Sequence, residues 1–113
     1  MLAVMRQPCV YLLASKRNGT LYCGVTMDLP ARLEEHHRRV SPNSFTARYG
    51  VMQLVWFEDQ PDMQTAIRRE KRIKKYPRAW KINLIEAGNP EWRAVCPVTG
   101  VLAPPRGSTG QAG

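Results

Sequence analysis

Cys9-Val10-Tyr11-Leu12-Leu13-Ala14-Ser15-Lys16-Arg17-Asn18-Gly19-Thr20-Leu21-Tyr22-Cys23-Gly24-Val25-Thr26 decides the fold. Two apolar, β-compatible runs, 9–15 and 21–26, flank a polar segment that holds Asn18-Gly19. Asn-Gly is a strong hairpin signal, because both residues tolerate the positive φ that a two-residue turn demands. With Asn18 and Gly19 as the turn, Arg17 opposes Thr20, Tyr22 opposes Ser15 and Tyr11 opposes Thr26. Both tyrosines then project from one face, and Gly24 leaves a gap between them. They are offset by four residues, about 13 Å at roughly 3.3 Å per residue. Strand tyrosines are more often packed at the edge of a core than catalytic, so the pair alone assigns no function.

Downstream, Asp28 is suited to cap a first helix, with Pro30 in its first turn and Leu29 and Leu33 as its apolar edge. That helix should end by about Val40, since Ser41-Pro42-Asn43-Ser44 is loop chemistry. Val51 to Glu58 reads as a third, well-buried strand. Asp62 caps a long basic helix that Pro77 terminates or kinks. A further helix runs from Arg78 to about Ala87, with Trp80, Leu84 and Ile85 inward and Gly88 as its stop. Asn89-Pro90 then turns Trp92 back to the core. The order β-β-α-β-α-α is that of an α+β domain, a small and mainly antiparallel sheet flanked by helices. Residues 1–7 form a lead-in and 8–96 the domain. Residues 97–113, rich in Pro, Gly, Ser and Thr, form a tail expected to be disordered.

The 113 residues suffice for one domain with a real core. No apolar run approaches the roughly 18 residues needed to cross a bilayer. The apolar run ending Leu13-Ala14-Ser15 is interrupted by Pro8 and reads as a strand rather than a signal peptide. Cys9, Cys23 and Cys96 are odd in number and lack CxxC spacing, so neither a disulfide framework nor a zinc site is indicated, and a cytoplasmic setting fits. The net charge of +8 is concentrated: residues 62–81 hold eight basic and two acidic groups. Such a footprint suits a phosphate-binding face, although a solvated helix face has the same composition.

Within that basic segment stands Glu70. A 3.6-residue period aligns it with Met63, Ala66, Ile67 and Ile73, the apolar stripe that should face inward. A carboxylate there needs a proton, a cation or a metal ion to neutralise it. Arg32 and His36 lie i, i+4 on one helix face, the first suited to gripping phosphate and the second to moving a proton near neutral pH. The adjacent His37 diverges by about 100° and has no assigned role.

Taken together, Val10-Tyr11, Tyr22-Cys23-Gly24, Arg32, His36 and Glu70 in its Arg-Glu-Lys context resemble the GIY-YIG endonuclease superfamily. The chain is most similar to its small stand-alone group, through Arg32-Leu33-Glu34-Glu35-His36, Phe45-Thr46-Ala47-Arg48-Tyr49, Ala66-Ile67-Arg68-Arg69-Glu70-Lys71 and Asn89-Pro90-Glu91-Trp92. Cys9-Val10-Tyr11 stands for Gly-Ile-Tyr, and Cys23 replaces the middle residue of Tyr-Ile-Gly. The resemblance implies a three-stranded antiparallel sheet and one divalent ion, Mg2+ or Mn2+, held by Glu70. It also implies that Tyr22 orients or deprotonates the attacking water, with Tyr11 or His36 assisting, and that Arg32 steadies charge on the phosphate. A phenol with a pKa near ~10 is ionised to only about one part in a thousand at neutral pH, so His36 is a rival base. Nucleic-acid contacts are expected from Arg68, Arg69, Lys71, Lys74, Lys75 and Arg48, with Gly24 and Asn89 in support.

The expected activity is metal-dependent endonucleolytic cleavage of DNA, structure-directed or weakly specific, in repair, recombination or turnover. A non-cleaving nucleic-acid-binding module on the same fold is the alternative. DNA is preferred to RNA as partner, no membrane is involved, and no protein partner is indicated. The nuclease reading requires Glu70 to reach the tyrosine face.

Overall fold

A computed structural model describes residues 7–38 and 53–103. Its elements are β1 (Cys9–Ala14), β2 (Leu21–Thr26), α1 (Leu29–Arg38), β3 (Gln53–Asp59), α2 (Met63–Lys74) and α3 (Arg78–Gly88). The three strands form one antiparallel sheet in the order β2-β1-β3, so the α+β architecture is as the sequence implied.

The hairpin register differs from the expected one. Leu13 pairs with Tyr22 and Tyr11 with Gly24, a shift of two residues along the partner strand. The turn holds four residues, Lys16 to Gly19, rather than two: Ser15 N–H donates to the Thr20 carbonyl and Gly19 N–H to the Lys16 carbonyl, at 3.0 and 2.9 Å. Asn18, at φ 60°, supplies the left-handed residue. The longer turn is supported from outside itself. Ser15 Oγ accepts Thr20 N–H at 3.0 Å, and the Arg78 guanidinium donates to the Asn18 and Gly19 carbonyls at 2.9 and 2.7 Å. That last contact joins positions far apart in sequence, which local turn rules do not register.

Both faces of β1 are covered, which explains its unbroken apolar run: every residue from Cys9 to Ala14 is buried. On one face Val10, Leu12 and Ala14 join Cys23 and Val55 beneath Ala66 and Ile73 of α2, Ile85 of α3 and Trp92. On the other, Cys9, Tyr11, Leu13 and Leu54 are covered by Leu29 and Leu33 of α1, flanked by Tyr22, Phe57 and Val95. An irregularity at Leu12/Leu13 shifts the β1–β3 register by one residue, so that Val55 and Trp56, adjacent in sequence, both pack on the first of these faces.

The helix starts follow the sequence. Asp28 Oδ1 accepts Ala31 N–H at 3.2 Å, and Asp62 Oδ1 accepts Thr65 N–H at 2.8 Å. Lys71, Arg72 and Lys74 occupy the last turn of α2, where the helix dipole favours cations. Two inward assignments need correction. Ile67 is 37% exposed and Trp80 56%, because the buried line of α2 runs through Ala66, Glu70 and Ile73 and that of α3 centres on Ile85. Trp80 instead packs edge-on to Tyr76, ring centroids 5.2 Å apart.

Order also extends past the expected boundary at Pro97. Val95 N–H donates to the Leu54 carbonyl, Cys96 N–H to Val101, and Ala103 N–H to Ala94, folding residues 94–103 back as a short hairpin against β3. Among the described residues no helix is long and apolar enough to cross a membrane. Cys9, Cys23 and Cys96 are free thiols.

Candidate functional site

The corrected register brings the two tyrosines together. Tyr11 and Tyr22, both near α1, have ring centroids 6.3 Å apart instead of the expected wide separation. Gly24 makes this possible, because a Cβ at that position would lie 2.5 Å from Cζ and Oη of Tyr11. The gap read from the sequence is therefore filled by the Tyr11 ring. His36 completes a triangle: its ring centroid is 6.2 Å from Tyr11 and 5.3 Å from Tyr22, both edge-on. Its Nε2 shares a 3.3 Å hydrogen bond with the Tyr11 hydroxyl.

Burial pushes the Tyr11 phenol well above its ordinary range, Tyr22 pushes it further, and the neighbouring Arg32 guanidinium opposes both. Tyr11 is thus a neutral phenol at physiological pH, able to donate to or accept from His36 but not to act as a base. Arg32 sits half-buried one helical turn before His36 and meets Glu35 at 3.3 Å. Such an exposed pair is weak and easily exchanged for another anion.

Glu70 lies in the opposite layer. Strand alternation turns Cys23 away from the Tyr22 side, and α2 packs over Cys23 with Ala66, Glu70 and Ile73 inward. Burial pushes the Cys23 thiol up to about 11, the Glu70 carboxylate adds to the rise, and Lys74 and Lys81 pull it back. Glu70 therefore does not share the tyrosine face, contrary to the expected placement, and a cleaved strand would have to bridge the two around the outer edge of β2. Lys74 lies at that edge: the Glu70 carboxylate raises its ammonium first of all, and Cys23 and Tyr22 add to the rise.

The expected need for a neutralising partner is met by Lys74, whose Nζ lies 2.6 Å from Glu70 Oε2. Their i, i+4 spacing was the available signal for this pair. Among the described residues no group of three or more His, Cys, Asp or Glu could hold an ion. A single hard oxygen donor nevertheless suits Mg2+ or Mn2+, which retain water and complete their shells with substrate phosphate. Lys74 would have to yield the carboxylate.

The remaining expected residues separate. Arg68, Lys71, Lys74 and Lys75 are exposed along α2. Arg69 turns the other way and forms an ion pair with Glu58 at 2.8 Å, with Tyr76 as a further partner, so its charge is already matched. Asn89 is buried away from the tyrosines. Its Nδ2 donates to the Val55 and Arg93 carbonyls at 3.0 and 2.8 Å, and its Oδ1 accepts Arg93 N–H at 2.8 Å. Those contacts make Asn89 a brace between β3 and the turn after α3. Arg48 lies outside the described residues. Arg78 and Lys81, given no individual role from the sequence, stand beside the hairpin turn, a position that follows from the fold.

The chain is similar to several known proteins. The family model described as the GIY-YIG catalytic domain matches residues 7–83. A UPF0213 protein of Xanthomonas campestris pv. campestris (strain 8004) is 36% identical over 78 residues, covering 69% of this chain and 74% of that protein. A UPF0213 protein of Syntrophus aciditrophicus (strain SB) is 34% identical over 87 residues, covering 77% and 98%. The solution NMR structure of a UPF0213 protein from Bacillus halodurans is 26% identical, with a TM-score of 0.47, and covers 74% of this chain and 86% of its own. With more than half of its length matched by the catalytic-domain model and relatives above 30% identity, the chain belongs to the GIY-YIG family of nucleases.

Proposed function

We propose that this protein is a metal-dependent endonuclease that hydrolyses DNA phosphodiester bonds, structure-directed or weakly specific, in repair, recombination or turnover. The observation that carries this reading is the convergence of Tyr11, Tyr22 and His36 over Gly24, in a domain of a nuclease family. His36, held by its Nε2 contact with the neutral Tyr11 hydroxyl, takes a proton from the attacking water. Tyr22 orients that water. Arg32 leaves Glu35 and binds the phosphate oxygens on which charge builds. Glu70 would hold Mg2+ or Mn2+ jointly with the substrate, and the ion would supply neutralisation of the scissile phosphate and the departing 3′ oxygen.

A second reading has its own support. Glu70 is occupied by Lys74 and sits across the sheet from the tyrosines, an arrangement that also suits a module that binds nucleic acid without cutting it.

Purified protein incubated with supercoiled, branched and single-stranded DNA, with Mg2+, with Mn2+ and with chelator, separates the two. Under the endonuclease reading, cutting requires the ion, disappears in Glu70→Ala and falls by ~10²–10⁴-fold in Tyr22→Phe and His36→Ala. Cutting that survives Glu70→Ala would remove the assigned metal site. Binding without cutting in every condition would establish the module, and matched RNA substrates in parallel report the preferred nucleic acid.

A further inference from the structure

The outer edge of β2 joins three features. Near its C-terminal end, a concavity of about 350 Å³ is lined in part by Met27, Arg32, Glu35 and Met63. At its middle, Cys23 lies beside Glu70 and Lys74. At its start, beside the hairpin turn, a solvent-open concavity of about 580 Å³ is lined by Asn18, Gly19, Thr20, Leu21, Arg78 and Lys81. Six residues of strand span about 20 Å, the length of roughly five or six nucleotide steps in a duplex strand.

The concavity beside the hairpin turn is chemically one-sided. Its two charged lining residues are both cations, and its uncharged rim offers hydroxyl and backbone groups. Arg32, Arg69 and Arg93 each meet a carboxylate, Glu35, Glu58 and Glu91 respectively. Among the described residues Arg78 meets none. Its Nη2 binds two neutral carbonyls, which fix the guanidinium without cancelling its charge and leave Nε and Nη1 for an anion. Lys81 extends the same charge toward Glu70, since it and Lys74 act together on the Cys23 thiol.

We propose that the concavity at the hairpin tip is a phosphate subsite, with Arg78 and Lys81 holding a backbone phosphate of the nucleic-acid strand beside the one at Glu70. The strand follows the edge of β2, and this subsite fixes its register relative to the tyrosine triangle. The proposal rests on the nucleic-acid reading above and adds a contact that reading does not contain.

Binding of fluorescent 20-nucleotide single strands and duplexes in chelator, titrated with salt, tests it without reference to cleavage. Lys81→Gln should lower the slope of log affinity against log salt by about one relative to wild type, and Lys81→Arg should restore it. Arg78→Gln should do the same, but Arg78 also clamps the turn, so Lys81→Gln, checked for an unchanged melting temperature, carries the test. Neutralising one phosphate at a time with methylphosphonate should reveal a position that weakens wild type but not Lys81→Gln. Unchanged slopes, or methylphosphonate effects that add fully to Lys81→Gln at every position, would overturn the subsite while leaving the endonuclease reading intact. Absence of nucleic-acid binding at any salt would remove both.

Discussion

A methyl group on Gly24 would lie 2.5 Å from the Tyr11 hydroxyl carbon and oxygen, so Gly24→Ala must displace a fully buried ring. The expected cost is about 1–3 kcal/mol, read as a lowered melting temperature, together with loss of the His36 contact in ring NMR spectra. Tyr11→Leu in the same background should recover part of the stability and none of the contact. The three thiols offer a second test at this scale. Burial holds Cys9 and Cys23 near 11, whereas the Thr99 hydroxyl and the backbone amides of the following turn lower Cys96 from its ordinary range. Thiolates form only as pH approaches the pKa, so iodoacetamide at pH 8 should label Cys96 first, with Cys9 and Cys23 following only at strongly alkaline pH or on unfolding, as mass spectrometry of peptides would show. Residue types were the most legible part of the candidate site: Tyr11, Tyr22, Arg32, His36 and Glu70 could all be named from spacing and resemblance. What occupies the space over Gly24 could not, since that depends on the register of a turn held by its own bonds and by an arginine about sixty positions away.

Element by element, caps were legible because they are local: Asp28 and Asp62 each bind an amide three residues on. The inward faces of α2 and α3 were less so, because Ile67 and Trp80 are apolar residues at positions that the sheet does not cover. Asn89 shows the same limit. The resemblance gave it a supporting part in the site, whereas its three side-chain bonds among the described residues secure β3 and the turn at Trp92–Arg93. Asn89→Ala would leave the Val55 and Arg93 backbone groups short of partners and should cost about 2–3 kcal/mol, visible as a lower urea midpoint. A loss of cleavage at full stability would instead return Asn89 to the active site.

At the scale of the molecule, helices cover both faces of one short sheet, with β1 buried between them. The sequence conveyed this layering through the continuous apolar run of β1, but not the contribution of residues 94–103, whose Pro- and Gly-containing composition looks like an idle terminus. Ending the chain after Arg93 should lower the melting temperature, because Val95 leaves the second core cluster and the Leu54 carbonyl loses its partner. An unchanged melting temperature would confine the domain to the segment before Ala94. The clamp of Arg78 on the hairpin turn also bears on how the molecule is completed. A chain growing from its N-terminus forms the turn early and receives the clamping guanidinium some sixty residues later. Until then the tip keeps only its local bonds, and the concavity beside it does not exist. Assembly of the last helix and the gain of that cationic hollow are one event, so an incomplete chain lacks the hollow that would engage a phosphate.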